Sequence, residues 1–289
     1  MSGGPPPDVV VVGHVTRDVA PTAPHGFTFG GTATFASVAA QRLGHRVGVV
    51  TRCADEPGMN DALSGIHVIA AHSDVTTTFE NLYTRSGRTQ YVRAAAPSIG
   101  AETIPVEWRD APVALLGPVA QEVQAPVLHA FGPRTTIAAT LQGWVRTWDG
   151  ATGQVRPKAW DDHEAFLDRI DAVVFSPVDV GSDPNLVRRY AERARLAIVT
   201  EAADGGVVWH RGSRFRYPAY EVEEVEPTGA GDAFAVAFAL EFHATGDPAH
   251  SARYASCVAS FVVEGHGTSR VPTIDAVRER FRHGRLRVP

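Results

Sequence analysis

At 289 residues, with 44% hydrophobic and 20% charged residues, the chain has room for one large α/β domain with a sizeable core. A formal net charge of −5 without any basic tract argues against nucleic acid or an anionic membrane surface as partner. No apolar run approaches the ~20 residues of a membrane span, and Cys53 and Cys257 read as two reduced, buried thiols of a cytoplasmic protein.

The opening residues 1–7 lack a basic region and an apolar core, so a flexible leader is expected there rather than a signal peptide. Short β-branched runs then recur at Val9–Val12, Val47–Val50, His67–Ala70, Val113–Leu116, Ile137–Leu141, Ala172–Phe175 and Leu196–Thr200. Such runs read as strands buried on both faces of a mostly parallel sheet. Thr32–Leu43, His163–Ile170 and Asn185–Ala194 have helical spacing. The alternation predicts a doubly wound α/β sandwich with helices on both faces. Two regions break it. Val15–Phe29 has strand-like ends around a Pro-rich turn, and Thr76–Thr84 with Arg88–Ala94 reads as a hairpin about Ser86-Gly87. A second meander is expected at Val207–His210 and Arg214–Tyr217, and Ser251–Val263 reads as a packed core helix.

The stretch Glu226-Pro227-Thr228-Gly229-Ala230-Gly231-Asp232-Ala233-Phe234 carries the most chemistry. Glycines let backbone N–H groups converge, and a helix N-terminus adds unpaired donors and a dipole that attract phosphate. A carboxylate beside such a cradle can take the proton of an attacking hydroxyl. In isolation, Asp232 is equally well a helix N-cap after a Gly-rich turn. Lys158 is the only lysine and no Gly-Lys-Ser/Thr surrounds it, which excludes a Walker-type P-loop. The histidines and cysteines show no zinc-ligand spacing, and no Gly-Xaa-Ser-Xaa-Gly elbow suggests a hydrolase.

Thr228 through Phe234 resemble the C-terminal signature of the ribokinase, or PfkB-type, carbohydrate kinase family, and Gly30-Gly31 opening a helix of small residues resembles its N-terminal one. The resemblance implies a ribokinase-like three-layer α/β sandwich spanning residues 8–289, its mostly parallel doubly wound sheet carrying a small β lid from 14–30 and 75–95. It implies Asp232 as catalytic base and the N–H groups of Gly229, Ala230 and Gly231 as the anion hole. Asp18, Gly30, Gly31 and Gln142 would bind the acceptor together with Asp232, and Arg146 would meet the transferring phosphoryl group. By spacing alone, Asp18, Gln142 and Arg146 read more readily as solvated loop residues. Ser176, Thr200, Gly205 and Thr228 would line the nucleotide, and Asp179 would hold a metal through water. The implied cofactors are ATP and Mg2+.

The sequence departs from that family at several points. Glu226-Pro227 replace the usual Asp-Thr, which in relatives helps hold a monovalent cation, Ser176 to Asp179 replace Asn-Xaa-Xaa-Glu, and Ala202 replaces a glycine. Phe35 stands where many members have Asn, and Leu141-Gln142-Gly143-Trp144-Val145-Arg146 replaces Asp-Xaa-Asn-Xaa-Arg. Both changes resemble the myo-inositol kinase branch, with a ring face of Phe35 offered to a cyclitol. The expected activity is therefore phosphorylation of myo-inositol to myo-inositol 3-phosphate by a monomer or homodimer. The alternatives are another PfkB-type sugar or nucleoside kinase, and a non-catalytic sugar sensor on the same fold.

Overall fold

The computed structural model describes residues 5–84 and 87–287, so residues 1–4 of the expected leader and Ser86 of the expected turn lie outside the described residues. In chain order the elements are β1 (Val9–Val12), β2 (Thr16–Val19), β3 (Phe27–Gly30), α1 (Gly31–Arg42), β4 (Val47–Cys53), α2 (Met59–Ala62), β5 (His67–His72), β6 (Thr78–Thr84) and β7 (Gly87–Ala94). There follow β8 (Val113–Leu116), β9 (Thr136–Thr140), β10 (Arg146–Trp148), β11 (Val155–Pro157), α3 (His163–Leu167), β12 (Ala172–Phe175), α4 (Pro184–Arg193) and β13 (Leu196–Thr200). The chain continues through β14 (Gly206–His210), β15 (Ser213–Tyr217), α5 (Ala230–Thr245), α6 (Pro248–Val262) and α7 (Ile274–His283).

Nine strands form one sheet in the order β15-β14-β13-β12-β9-β8-β1-β4-β5. The pairings from β5 through β13 are parallel, and only β14 and β15 run antiparallel at one edge. The all-valine β1 explains its central place, because both of its faces must be buried. Val9 and Val11 enter the core beneath α1, α5 and α6, whereas Val10 and Val12 enter the opposite core with residues of α3 and α4. Every residue of α5 from Ala233 to Leu240 is buried, as expected for a helix apolar all round. Asp183 and Asp247 cap α4 and α6, each followed by proline at the first helical position.

The two segments that interrupt the α/β alternation form a second sheet, ordered β3-β2-β6-β7. Attached to it is an unanticipated hairpin, β10 with β11. It joins β7 through a Tyr91–Gln154 bridge and through the Val92 N–H, which donates to the Gly153 carbonyl at 2.8 Å. Its strands have three residues each, too short to show an alternating pattern in the sequence. Cys53 and Cys257 are free and buried, and burial pushes both thiols up to about 11. Among the described residues, no helix is long and apolar enough to cross a membrane.

Candidate active site

The site lies at the C-terminal ends of β1, β8 and β9, where ligands collect in open α/β sheets. Three glycines let the chain crowd together there. A Cβ at Gly13 would strike the Gly117 carbonyl, one at Gly117 the side chain of Thr32, and one at Gly143 the Pro118 backbone. The Gln142 turn is thereby drawn against the residues following β8.

The two glycine signatures meet at this floor. Thr32, in the first turn of α1, is almost wholly buried, and its hydroxyl donates to Asp232 Oδ1 at 2.7 Å. Gly229, the residue before α5, takes φ +83°, and a Cβ there would fall inside the Phe35 ring. Phe35 is only 4% exposed. Its ring is the support beneath the Gly229 turn, which corrects the expectation that it offers a face to a cyclitol.

Asp232 is the third residue of α5, so it is not the N-cap; that position is Gly229, and no side chain caps the helix. The first-turn N–H groups of a helix have no carbonyl four residues back to bond. Here the Ala230 N–H is partly engaged by the Pro227 carbonyl at 3.2 Å, and a Cβ built on Gly231 meets nothing within 4 Å. A 16-residue helix therefore presents an uncapped, positive end to open space beside the carboxylate.

Burial pushes the Asp232 pKa up to about 6. The Thr32 hydrogen bond opposes this, the Asp179 carboxylate reinforces it, and the Arg146 guanidinium opposes it more weakly. Asp232, Asp179 and Arg146 thus share one electrostatic site, although their elements are far apart in sequence. Arg146 is 7% exposed, its Nε donates to the Gln142 carbonyl at 3.1 Å, and its guanidinium lies 5.7 Å from the Phe79 ring centre.

On the acceptor side, the sequence places Asp18 in a loop just past β1, but it lies on β2 of the small sheet. Its carboxylate occupies the space where a Cβ on Gly30 would stand. Asp18, Gly30, Gly31, Thr32 and Asp232 follow one another across the cleft.

On the donor side, Asp179 Oδ2 accepts from the Ser176 backbone N–H at 2.7 Å and hydroxyl at 2.9 Å, so the pair caps a short turn. Among the described residues, no group of three or more His, Cys, Asp or Glu could hold a metal by itself. A phosphate-borne Mg2+, which keeps several of its waters, fits the half-buried Asp179 facing Asp232. Thr200 ends β13 with its hydroxyl 3.4 Å from the Phe175 carbonyl. Gly205, at φ +79°, passes so close to the Tyr217 carbonyl that no side chain fits. Ala202, standing where the related pattern has glycine, is forced to φ +50°. A cleft of about 680 Å3 opens beside this loop, lined by Glu201, Asp204, Arg216 and Glu221. The Glu226 carboxylate reaches His266 Nδ1 at 3.2 Å and the Gly267 N–H at 3.4 Å, tying the segment Gly265–Ser269 to the signature turn.

Sequence reasoning missed four residues around the site. Thr32 had a signal, since it directly follows the Gly30-Gly31 pair. Glu122 is 2% exposed and accepts backbone N–H bonds from His14, Val119 and Ala120, knitting the loops after β1 and β8. The buried His14 ring bonds the Thr77 hydroxyl at 2.8 Å and the Pro97 carbonyl at 3.1 Å. Gln90, on β7, accepts from Arg146 at 3.0 Å.

Residues 169–274 match the model of the pfkB family carbohydrate kinases. The chain carries a PfkB-family domain. Curated relatives of the chain include the acarbose 7(IV)-phosphotransferase of Actinoplanes sp., 31% identical over 132 residues. That match spans 44% of the chain but only 41% of the relative's length. The cytidine kinase of Thermococcus kodakarensis is 26% identical over 253 residues, covering 80% of the chain and 87% of that enzyme. Among solved structures, a pyrophosphate-dependent myo-inositol-1 kinase converted by substitution into a myo-inositol-3 kinase superposes with a TM-score of 0.76. Identity to it is 18%, over 94% of this chain and 99% of the other. The fold is ribokinase-like, a large mostly parallel sheet with helices on both faces.

Proposed function

We propose that this protein is an ATP-dependent phosphotransferase that phosphorylates a hydroxyl of a small polyol, converting myo-inositol to myo-inositol 3-phosphate in the cytoplasm. The observation that carries the reading is Asp232, a carboxylate with a pKa of about 6 held by Thr32 at the uncapped start of α5. Such a group is ionised at neutral pH yet basic enough to accept a proton in the transition state.

In this reading Asp18, Gln142 and the Gly30-Gly31 backbone orient the acceptor, with the small sheet as a lid over it. Asp232 takes the hydroxyl proton as the oxygen attacks. The N–H groups of Gly229, Ala230 and Gly231, the α5 dipole and Arg146 stabilise the charge that spreads over the phosphoryl oxygens. When bound, ATP supplies the phosphoryl group and Mg2+ neutralises it. Thr228, Ser176, Thr200 and Gly205 line the donor, and Asp179 would hold the metal through water.

Gln142 and the structural neighbour favour a cyclitol acceptor. A second reading, a nucleoside acceptor, is favoured by the cytidine kinase match across most of the chain. The test is a product assay with ATP or pyrophosphate as donor and myo-inositol, ribose, fructose or cytidine as acceptor. Turnover of none of these by folded protein would sink the kinase reading, and cytidine winning would replace the acceptor.

A further inference from the structure

Arg146 is held from the small sheet as well as from its own turn. Gln90 Oε1 accepts from Arg146 Nη1 at 3.0 Å, and Gln90 Nε2 donates to Asn81 Oδ1 at 3.0 Å. Asn81 and Gln90 are direct cross-strand partners on β6 and β7. The Asn81 contact turns the Gln90 amide so that its carbonyl end faces the guanidinium. Phe79, also on β6, covers the same guanidinium. From below, the Gln121 side-chain amide donates to the Arg146 backbone carbonyl at 2.7 Å.

We propose that Gln90 is a positioning residue for phosphoryl transfer, tying the placement of Arg146 to the seating of the small sheet over the acceptor. This rests on the kinase reading above.

The chemistry of the contact supports it. A carboxylate at position 90 would fix an arginine firmly but would also neutralise it. A carboxamide fixes the direction of the guanidinium without adding a neutralising charge of its own. That charge is felt at Asp232, where it opposes the effects of burial and of Asp179. The Asn81–Gln90–Arg146 chain therefore runs from the two lid strands to the reacting end of the cleft. An acceptor bound beneath β6 and β7 would help seat the strands, and the strands set the arginine. Misplacing a charge-stabilising group by about 1 Å can cost on the order of 10²-fold in rate.

Two variants test this, assayed beside the parent protein. Gln90→Leu removes the acceptor for Arg146; kcat should fall roughly 10- to 100-fold while KM for the acceptor stays within about threefold. Gln90→Glu keeps the arginine in place but offsets its charge, so the acid limb of the pH–rate profile should move above the parent's. That limb is set first by burial and then by Thr32, Asp179 and Arg146, and a glutamate that did not meet Arg146 would leave their balance alone. A Gln90→Leu kcat within twofold of the parent, or a loss confined to acceptor KM, overturns the proposal. An unmoved acid limb in Gln90→Glu overturns it as well, and decides alone if Gln90→Leu fails to fold. An inactive parent sinks the kinase reading and this inference with it; an active parent with indifferent variants sinks only the inference.

Discussion

The Thr32 hydroxyl and the Asp232 carboxylate, 200 positions apart in the chain, are joined by a 2.7 Å hydrogen bond. It links the first turn of α1 to the first turn of α5 and holds the carboxylate at an uncapped helix end. If that carboxylate is the base, Asp232→Asn should fold and bind ATP while turnover falls on the order of 10²–10⁴-fold. Steady-state kinetics within a few-fold of the parent would remove Asp232 from the role.

If Asp232 is the base, Thr32 tunes it, because its hydrogen bond favours the ionised form. Activity in the parent should rise with pH through about 6. In Thr32→Val the bond is lost and the acid limb should move upward, whereas Thr32→Ser should restore it. Superimposable profiles for all three proteins would show that the hydrogen bond does not set the base.

The raised pKa also has a consequence for stability. A carboxyl whose folded pKa lies above its unfolded value makes its full contribution below the unfolded value and loses it as pH rises through the folded one. For Asp232 the window runs from 3.8 to about 6. Asp232→Asn lacks this loss and can still accept from Thr32. It should melt higher than the parent at pH 8, with the gap closing near pH 4. Equal gaps at both pH values would contradict the burial of the charge.

Gly229 combines a left-handed backbone with contact against Phe35, so Gly229→Ala is opposed twice. Strain and overpacking together should cost about 2–4 kcal/mol, measured by denaturant unfolding, and should abolish activity. Gly229→Ala with Phe35→Leu should recover part of the stability. No recovery would mean that the ring is not the obstacle.

The parallel sheet was legible because buried strands must be apolar on both faces, which leaves runs such as Val9–Val12. The signatures around Gly30 and Gly229 were legible because left-handed turns and close approaches demand glycine. The direction of a side chain leaves no such mark. Phe35 could have faced the cleft or the turn, and only packing against Gly229 decides it. Glu122 escaped notice because its partners are backbone N–H groups, which every residue but proline carries. The β10–β11 hairpin escaped because three-residue strands have no period to read.

The acceptor preference rests on the fewest groups. With the Phe35 ring buried, discrimination among acceptors would fall, on the kinase reading, to Asp18, Gln142 and the Gly30-Gly31 backbone. Asp18→Ala and Gln142→Ala should each weaken acceptor binding by about 1–3 kcal/mol, since a buried hydroxyl would be left unpaired. ATP affinity should hardly change. The same unpaired-group penalty acts on a poorly matched acceptor bound to the parent protein, where it can discriminate by up to ~10⁴-fold. A cyclitol carries hydroxyls all around its ring and can engage both side chains, whereas ribose leaves one of them unmatched. The kcat/KM for myo-inositol should therefore exceed that for ribose, fructose and cytidine by at least about 10²-fold. Side-by-side steady-state assays, with NMR of the product to locate the phosphate, measure this. If cytidine exceeded myo-inositol while both alanine variants bound the cyclitol normally, the acceptor would be a nucleoside and the orientation by Asp18 and Gln142 would fall.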